Sequence, residues 1–221
     1  MDERVAVIIP AVNEESTVGA VVDAARAAHL VDEVIVVDNG STDRTAAEAK
    51  QHGAQVVVEP RGGKGGAMAA GVRATDAEVI CFLDADLTGL RPDHVDRLVG
   101  AVSSGHAGMS LGLFDRGPVL NPAFLHVLPK LTGERAMRRE LFESLDPDDI
   151  EGYRVEATLN SRAAQLGVEV QAFVLDGMFH RTKEVKERSR ARGLAKKAGM
   201  LGTAAGAYLA YWAWRRRHEE G

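Results

Sequence analysis

Two aspartates one residue apart, Asp84 and Asp86, close the apolar run Val79-Ile80-Cys81-Phe82-Leu83. Aspartates usually stay in water, and two like charges this close repel unless a cation lies between them. Hard carboxylate oxygens at that spacing suit Mg2+ or Mn2+, an ion that commonly binds substrate phosphates too. The bland alternative is a pair of solvated turn aspartates; the apolar strand directly before them favours the metal. Upstream, Arg61-Gly62-Gly63-Lys64-Gly65-Gly66 sets two cations among four glycines, so backbone and charge can both approach an anion. The Gly-x-x-x-x-Gly-Lys-Ser/Thr spacing is missing, which argues against a P-loop ATPase and leaves diphosphate contact or a flexible surface turn. Asp38 follows Val34-Ile35-Val36-Val37 and precedes Asn39-Gly40-Ser41. Its carboxylate can accept from ribose hydroxyls or a base N–H, whereas Ser41 or Thr42 better suits capping the next helix. Glu14, just past the first apolar run, is a candidate for the same nucleoside.

These residues need a frame that brings them together. Val5 to Ile9, closed by Pro10, reads as a fully buried strand, as does Val34 to Val37; Val56 to Val58 and Val79 to Leu83 read as a third and a fourth strand. Between them lie helical stretches: one capped by Ser16 or Thr17, one over Thr45 to Gln51, and a small-residue helix over Met68 to Ala74 after a glycine-rich loop. Alternation of this kind implies βαβ units and a parallel sheet, and such sheets bind ligands beyond the C-terminal ends of their strands. Asn13-Glu14, Asp38, Arg61 to Lys64 and Asp84-Asp86 all follow strand ends, so they should face one crevice. Further on, Arg97 to Val102 reads as helix, Gly108 to Gly117 as holding a strand, and Pro118 to Lys130 as a loop or short helix. Leu131 to Leu145 reads as a turn then a helix, Val155 to Leu166 as an amphipathic helix and Val168 to Leu175 as a strand.

Composition narrows the class. With 221 residues, 45% hydrophobic and 27% charged, the chain is an ordinary globular protein, and its net charge of −5 gives no basic field for nucleic acid. Cys81 is the sole cysteine and sits in an apolar run, so it reads as a small core residue and no intrachain disulfide can form. That suits a reducing cytoplasm, and the opening MDERVAVIIP does not read as a signal peptide.

The segments VIIPAVNEE, VIVVDNGSTDRT, GGKGGAMAAG and CFLDADL together resemble the nucleotide-sugar half of glycosyltransferases of the GT-A fold, family 2 and its close relatives. The resemblance covers roughly residues 4–100. It implies an α/β fold with a mostly parallel, Rossmann-like sheet flanked by helices. It also implies Pro10, Glu14 and Asp38 at the nucleoside, Gly62 and Lys64 at the diphosphate, and Asp84 and Asp86 at the metal. The second half, through LTGERAMRREL, EGYRVEATL and MFHRTKEV, resembles the family 81 glucosyl-3-phosphoglycerate synthases. That resemblance puts Thr132, Gly133 and Glu134 at the acceptor site with Tyr153 and Glu156, and His180 in the metal shell. Neutral imidazole is a chemically sensible partner for two carboxylates around Mn2+, though a surface histidine in a basic run is the competing reading. Arg138, Arg139 and Arg181 either hold an acceptor phosphate, which Arg reads bidentately, or form a solvated helix face.

The expected activity is metal-dependent transfer of a sugar from a UDP- or GDP-linked donor to a small phosphorylated acceptor such as 3-phosphoglycerate. Asp86 serves the catalytic cation with Asp84 and His180; if configuration inverts, Glu134 or Glu156 is the base, and if it is retained no protein base is obviously required. A polyprenyl-phosphate acceptor, as in dolichyl-phosphate mannose synthases, is the alternative within the class. Outside it stand a sugar-phosphate nucleotidyltransferase, whose N-terminal Gly-rich loop is lacking, and a silent sugar-nucleotide-binding subunit. The domain reading is a catalytic unit over 1–185, split near residue 100, and a basic and apolar helical tail over 186–221. Residues 198–214 would span roughly 25 Å as a helix, short of the ~30 Å hydrocarbon core. Flanked by Lys196-Lys197 and Arg215 to Arg217, that tail leaves three options open: contact with a membrane surface, packing on the body or on a partner subunit as in a homodimer, or a true span.

Overall fold

The first apolar run becomes the strand around which everything else is laid. β1 (Val5–Ala11) is flanked by β2 (Glu33–Asp38) and β4 (Val79–Phe82), both parallel to it, and β3 (Gln55–Val58) extends the parallel set beyond β2. The structure is a computed structural model that describes residues 3–60, 63–114, 132–146, 150 and 155–180. Strands inside a parallel sheet are covered on both faces, which is why β1, β2 and β4 read as near-continuous apolar runs, while β3 at the edge leaves Val58 exposed. Along β1, Val5, Val7, Ile9 and Ala11 point into one core and Ile8 into the other.

Helices make both covers. α1 (Val18–Arg26) and α2 (Thr45–Gln51) pack into the first core, joined by α4 (Pro92–Ser103). The second core holds α3 (Gly63–Arg73), α5 (Arg139–Glu143) and α6 (Val155–Gln165). Each fully buried large aliphatic side chain contributes about 1.5–3 kcal/mol, so two closed cores make the sheet a rigid platform for its loops. Thr17 does precede α1, but its hydroxyl donates to the Glu14 carbonyl at 3.3 Å rather than capping the helix.

Beyond β4 the sheet changes sense. β7 (Arg135–Arg138) is antiparallel to β4 and to β6 (Met109–Phe114), and β6 runs parallel to β8 (Val170–Leu175), giving the order β3-β2-β1-β4-β7-β6-β8. This is the mostly parallel, helix-flanked GT-A arrangement. A second, two-stranded sheet pairs β5 (Leu87–Thr88) with β9 (Phe179–His180) in antiparallel register. Two expectations need correction. The segment Arg135–Arg138 is a central strand, not the helix expected over that stretch, because β4 and β6 pair with it on both sides. The glycine-rich stretch is not a loop ahead of a helix starting at Met68: α3 begins at Gly63. The 118–130 segment and the 186–221 tail lie outside the described residues, and among the described ones no helix is long and apolar enough to cross a membrane.

One buried side chain gives the fold a titratable weak point. His94 on α4 is 3% exposed; its Nδ1 accepts from the Arg91 N–H at 3.4 Å, which leaves the proton on Nε2, without a partner among the described residues. Burial, seconded by the Arg91 cation, holds its imidazole below the ordinary value, against the pull of Asp93 and Asp176. The unfolded chain therefore binds this proton more readily than the folded one. The stability His94 contributes is complete above the unfolded value of about 6.5 and is lost as pH falls below it. Thermal melts should show Tm dropping between pH 7 and 5, above the range where the lowered carboxylates Asp43 and Asp93 titrate, and His94→Leu should flatten that drop. An unchanged slope in the variant would remove His94 as its source.

Candidate functional site

The carboxyl ends of β1 and β2 are stitched together by short polar side chains. Past Ala11 the chain turns through Asn13, whose φ of 57° lies in the left-handed region that asparagine tolerates. Asn13 donates its N–H to Ser41 Oγ at 3.0 Å, and its Oδ1 accepts from the Thr42 N–H at 2.8 Å. Glu14 donates its N–H to Thr45 Oγ1 at 2.8 Å, and its Oε2 accepts from the Thr17 hydroxyl at 3.2 Å. Asp38 lies beside Ala11 in register, and Pro10 beside Val37. The Asp38 carboxylate is nearly buried and accepts from the Ser41 N–H at 3.0 Å, closing its own turn rather than capping α2. Pro10, Glu14 and Asp38 therefore share one shelf at the carboxyl edge of the sheet.

The next loop delivers a cation to the same edge. Lys64 stands in the first turn of α3, with Nζ 2.7 Å from Asp84 Oδ1 and 2.8 Å from Glu156 Oε1. The three side chains are only 18%, 22% and 16% exposed, so water screens the pairs weakly. Burial by itself would push the Lys64 ammonium down, but Asp84 first and Glu156 next hold it well above the ordinary lysine value. It is a permanent positive charge. Glycine lets the helix start sit this deep: a Cβ on Gly65 would fall 1.6 Å from the Ile150 carbonyl oxygen. The glycines here serve close packing, and Arg61 and Gly62 lie outside the described residues.

Asp84 is seated with the same economy of space. A Cβ added at Gly133 would meet its Oδ1 at 2.5 Å and Oδ2 at 2.6 Å, so the carboxylate rests directly on the Gly133 backbone. Gly133→Ala must displace the Asp84 carboxylate from its present seat. We expect about a hundredfold loss of kcat/KM from an ångström-scale displacement. Steady-state kinetics beside a thermal melt would check this, and a fully active variant would count against the seat.

Asp86 lies one residue beyond the buried Ala85, half-buried like Asp84, and leads into β5. The β5–β9 ladder sets the backbone of His180 opposite Leu87, the residue after Asp86. Among the described residues no three His, Cys, Asp or Glu side chains already converge as a cage. The donor set nonetheless fits a hard divalent cation: two carboxylates on one half-buried turn, and an imidazole-bearing residue on the strand paired beside it.

Other expected residues are placed elsewhere. Glu134 is fully buried; its Oε2 meets the Thr132 hydroxyl and its carbonyl accepts from the Gly112 N–H at 2.8 Å. Thr132 is equally enclosed, 2.7 Å from the Gly112 carbonyl. Of the two glutamates expected as base, Glu156 contacts Lys64, whereas Glu134 is buried beside Thr132. Arg138 needs correction: it pairs with Val79 at the start of β4, whereas the site lies past the end, and it bonds Glu3. Arg139 is likewise turned away, toward Glu143 and the Thr75 carbonyl. Tyr153 and Arg181 lie outside the described residues. Sequence reasoning missed Arg135, which pairs with Phe82 at the carboxyl end of β4 and is fully buried. Its place in a charged run, ERAMRRE, gave no signal of burial.

A parallel sheet whose carboxyl edge gathers Asp38, Lys64 and an Asp-x-Asp turn, with an antiparallel strand inserted beyond them, is the frame of a GT-A glycosyltransferase. Residues 6–155 match the family described as Glycosyl transferase family 2, and the chain belongs to that family. It is 33% identical to glucosyl-3-phosphoglycerate synthase of Mycobacterium tuberculosis, across 83% of this chain and 68% of the relative. A shorter match, 48% identical over 38% of this chain and 37% of the other, is to an uncharacterized glycosyltransferase of the same organism. Among solved structures, the M. tuberculosis glucosyl-3-phosphoglycerate synthase in complex with Mn2+, UDP and phosphoglyceric acid is similar with a TM-score of 0.75. That pair is 31% identical, with 95% of this chain and 78% of the other covered. The complex of that synthase with Mg2+ and UDP gives a TM-score of 0.74 at 31% identity, covering 95% of this chain and 79% of that one.

Proposed function

We propose that this glycosyltransferase moves a sugar from a nucleoside-diphosphate sugar to a hydroxyl of a small phosphorylated acid such as 3-phosphoglycerate, with Mg2+ or Mn2+ as cofactor and the cytoplasm as its location. One observation carries the reading: the charged Lys64 ammonium sits between Asp84, on the turn past β4 in the donor half, and Glu156, on α6 in the second half. Similarity to synthases whose structures hold UDP, a divalent cation and phosphoglyceric acid supports the substrates.

In this reading Pro10, Glu14 and Asp38 receive the nucleoside, the carboxylates accepting from ribose hydroxyls or base N–H groups. Lys64 exchanges its carboxylate contacts for the donor's diphosphate and stabilises the charge that develops there as the glycosidic bond breaks. Asp84, Asp86 and His180 would hold the cation, whose chemistry is to neutralise the departing diphosphate. Glu156, released by Lys64, faces the acceptor hydroxyl; it takes the proton if the anomeric centre inverts and orients the hydroxyl if configuration is retained.

The test is turnover. The purified protein is incubated with UDP-glucose or GDP-linked sugars, 3-phosphoglycerate and Mn2+, and products are separated and weighed by mass spectrometry. A glycosylated phosphoacid together with free nucleoside diphosphate is expected. No glycosylated phosphoacid here, with turnover instead in parallel incubations that supply a polyprenyl phosphate as acceptor, or a nucleoside triphosphate with a sugar phosphate, would overturn the reading.

A further inference from the structure

Arg135 is the largest side chain of the described core to be wholly enclosed, and it is charged. A guanidinium taken out of water must recover its hydrogen bonds, and an apolar residue of similar volume is often the more stable choice. The bonds it makes are specific. Nε, at 3.2 Å, and Nη2 both donate to the Thr132 carbonyl, while Nη1 donates to the Glu156 carbonyl at 3.3 Å and to Asn160 Oδ1 at 3.4 Å. One edge of the planar fork thus grips the turn containing Gly133, on which the Asp84 carboxylate rests. The opposite edge grips the first turns of α6, which carry Glu156. Asp84 and Glu156 are the two acids that bracket Lys64. Burial pushes the guanidinium down to about 10, and Glu156, Glu134 and Asp84 oppose that fall, so the cation is within electrostatic reach of all three carboxylates.

We infer that Arg135 is a positioning residue for glycosyl transfer, a rigid crosslink that fixes Glu156 of the second half relative to the Asp84 seat of the donor half. The inference rests on the sugar-transfer reading above and adds to it a residue outside the crevice. Lysine keeps the charge but has no planar fork, and cannot hold two elements from opposite edges at once. The nucleoside shelf, built on β1 and β2, does not pass through Arg135, and Asp84 stays anchored by β4 and by Lys64, whereas Glu156 depends on α6. The larger damage should therefore fall on the acceptor side of the reaction.

The experiment compares wild type with Arg135→Lys, Asn160→Ala and the double variant, by thermal melt, UDP titration in Mn2+, and kcat and KM for each substrate. Arg135→Lys is expected to keep UDP affinity within about threefold while kcat/KM for the acceptor falls about a hundredfold, as ångström-scale misplacement does. Asn160→Ala removes one bond to the fork at a helical site where alanine is favourable, so it should fold. Its acceptor kcat/KM should fall about fivefold, an effect that disappears in the Arg135→Lys background because both changes act through one contact. Acceptor kcat/KM in Arg135→Lys within about threefold of wild type overturns the inference, as does an equal loss in UDP affinity. Should Arg135→Lys fail to fold, Asn160→Ala decides alone, and an unaltered acceptor kcat/KM there overturns it. Wild type lacking both UDP affinity and turnover would instead overturn the transfer reading, and this inference with it.

Discussion

Replacing Lys64 with methionine is expected to lower kcat/KM for a nucleoside-diphosphate sugar by about a thousandfold or more, the scale seen when a preorganised charge is removed from a developing anion. Two losses add. The diphosphate forfeits a fixed ammonium, and Asp84 and Glu156 are left facing each other without one. The second loss also reaches stability. Removing one partner of a fully buried pair costs about 3–5 kcal/mol, and these side chains keep up to 22% exposure, so the lower end of that range is expected. Lys64→Arg retains the charge and should retain most of the stability but little of the rate, since the forked head does not fit a seat made for a point charge. A Lys64→Met protein with wild-type kinetics would remove this lysine from the reaction.

The second large effect concerns the cation. Asp86→Ala is expected to reduce turnover by about a thousandfold or more and to move the Mn2+ concentration for half-maximal rate sharply upward, because a two-carboxylate site that loses one ligand loses much of its affinity. A chelator should silence the wild type, with Mn2+ or Mg2+ restoring it. Asp86→Ala should lower the melting temperature far less than Lys64→Met, since the Asp86 side chain is half-buried at a turn and belongs to neither core, although its neighbours Ala85 and Leu87 do. Turnover that is indifferent to chelation would sink the metal assignment, whatever the variant does.

The parts of this architecture that could be read from sequence are those where one physical requirement dominates. β1, β2 and β4 are buried on both faces, so they had to be short uninterrupted apolar runs, and the polar residues just past them had to meet at one edge. Asp38, Lys64 and Asp84 follow from that rule alone. Where two requirements compete, local pattern misleads. Arg135-Ala136-Met137-Arg138 carries charge at both ends and reads as the rim of a helix, yet it is a central strand. Its pairing with β4 and β6 outweighs propensity, and Arg135 is tolerated inside because carbonyls of Thr132 and Glu156 receive its protons. The two arginines then part company: strand direction sends Arg135 toward the site and Arg138 toward Glu3. A similar competition governs the glycines. A Gly-rich stretch has low helix propensity, but at Gly65 the contact with Ile150 leaves room for no side chain, and the helix begins early. Glu156 was reachable only through family resemblance, since nothing in its own neighbourhood distinguishes it from the other polar residues of α6. Glu134 shows the converse: a matching motif suggests the acceptor site, and its burial against Thr132 had no signal in the sequence.

Calorimetric titration of UDP into the wild-type protein, with and without Mn2+, probes the central proposition most directly: that Asp84, Asp86 and Lys64 jointly hold a cation and a sugar donor's diphosphate. Saturable binding that strengthens at least about tenfold with Mn2+, and loses that gain in Asp86→Ala, is the predicted result. Nucleotide affinity identical with and without the metal, or absent for UDP and GDP alike, would contradict it.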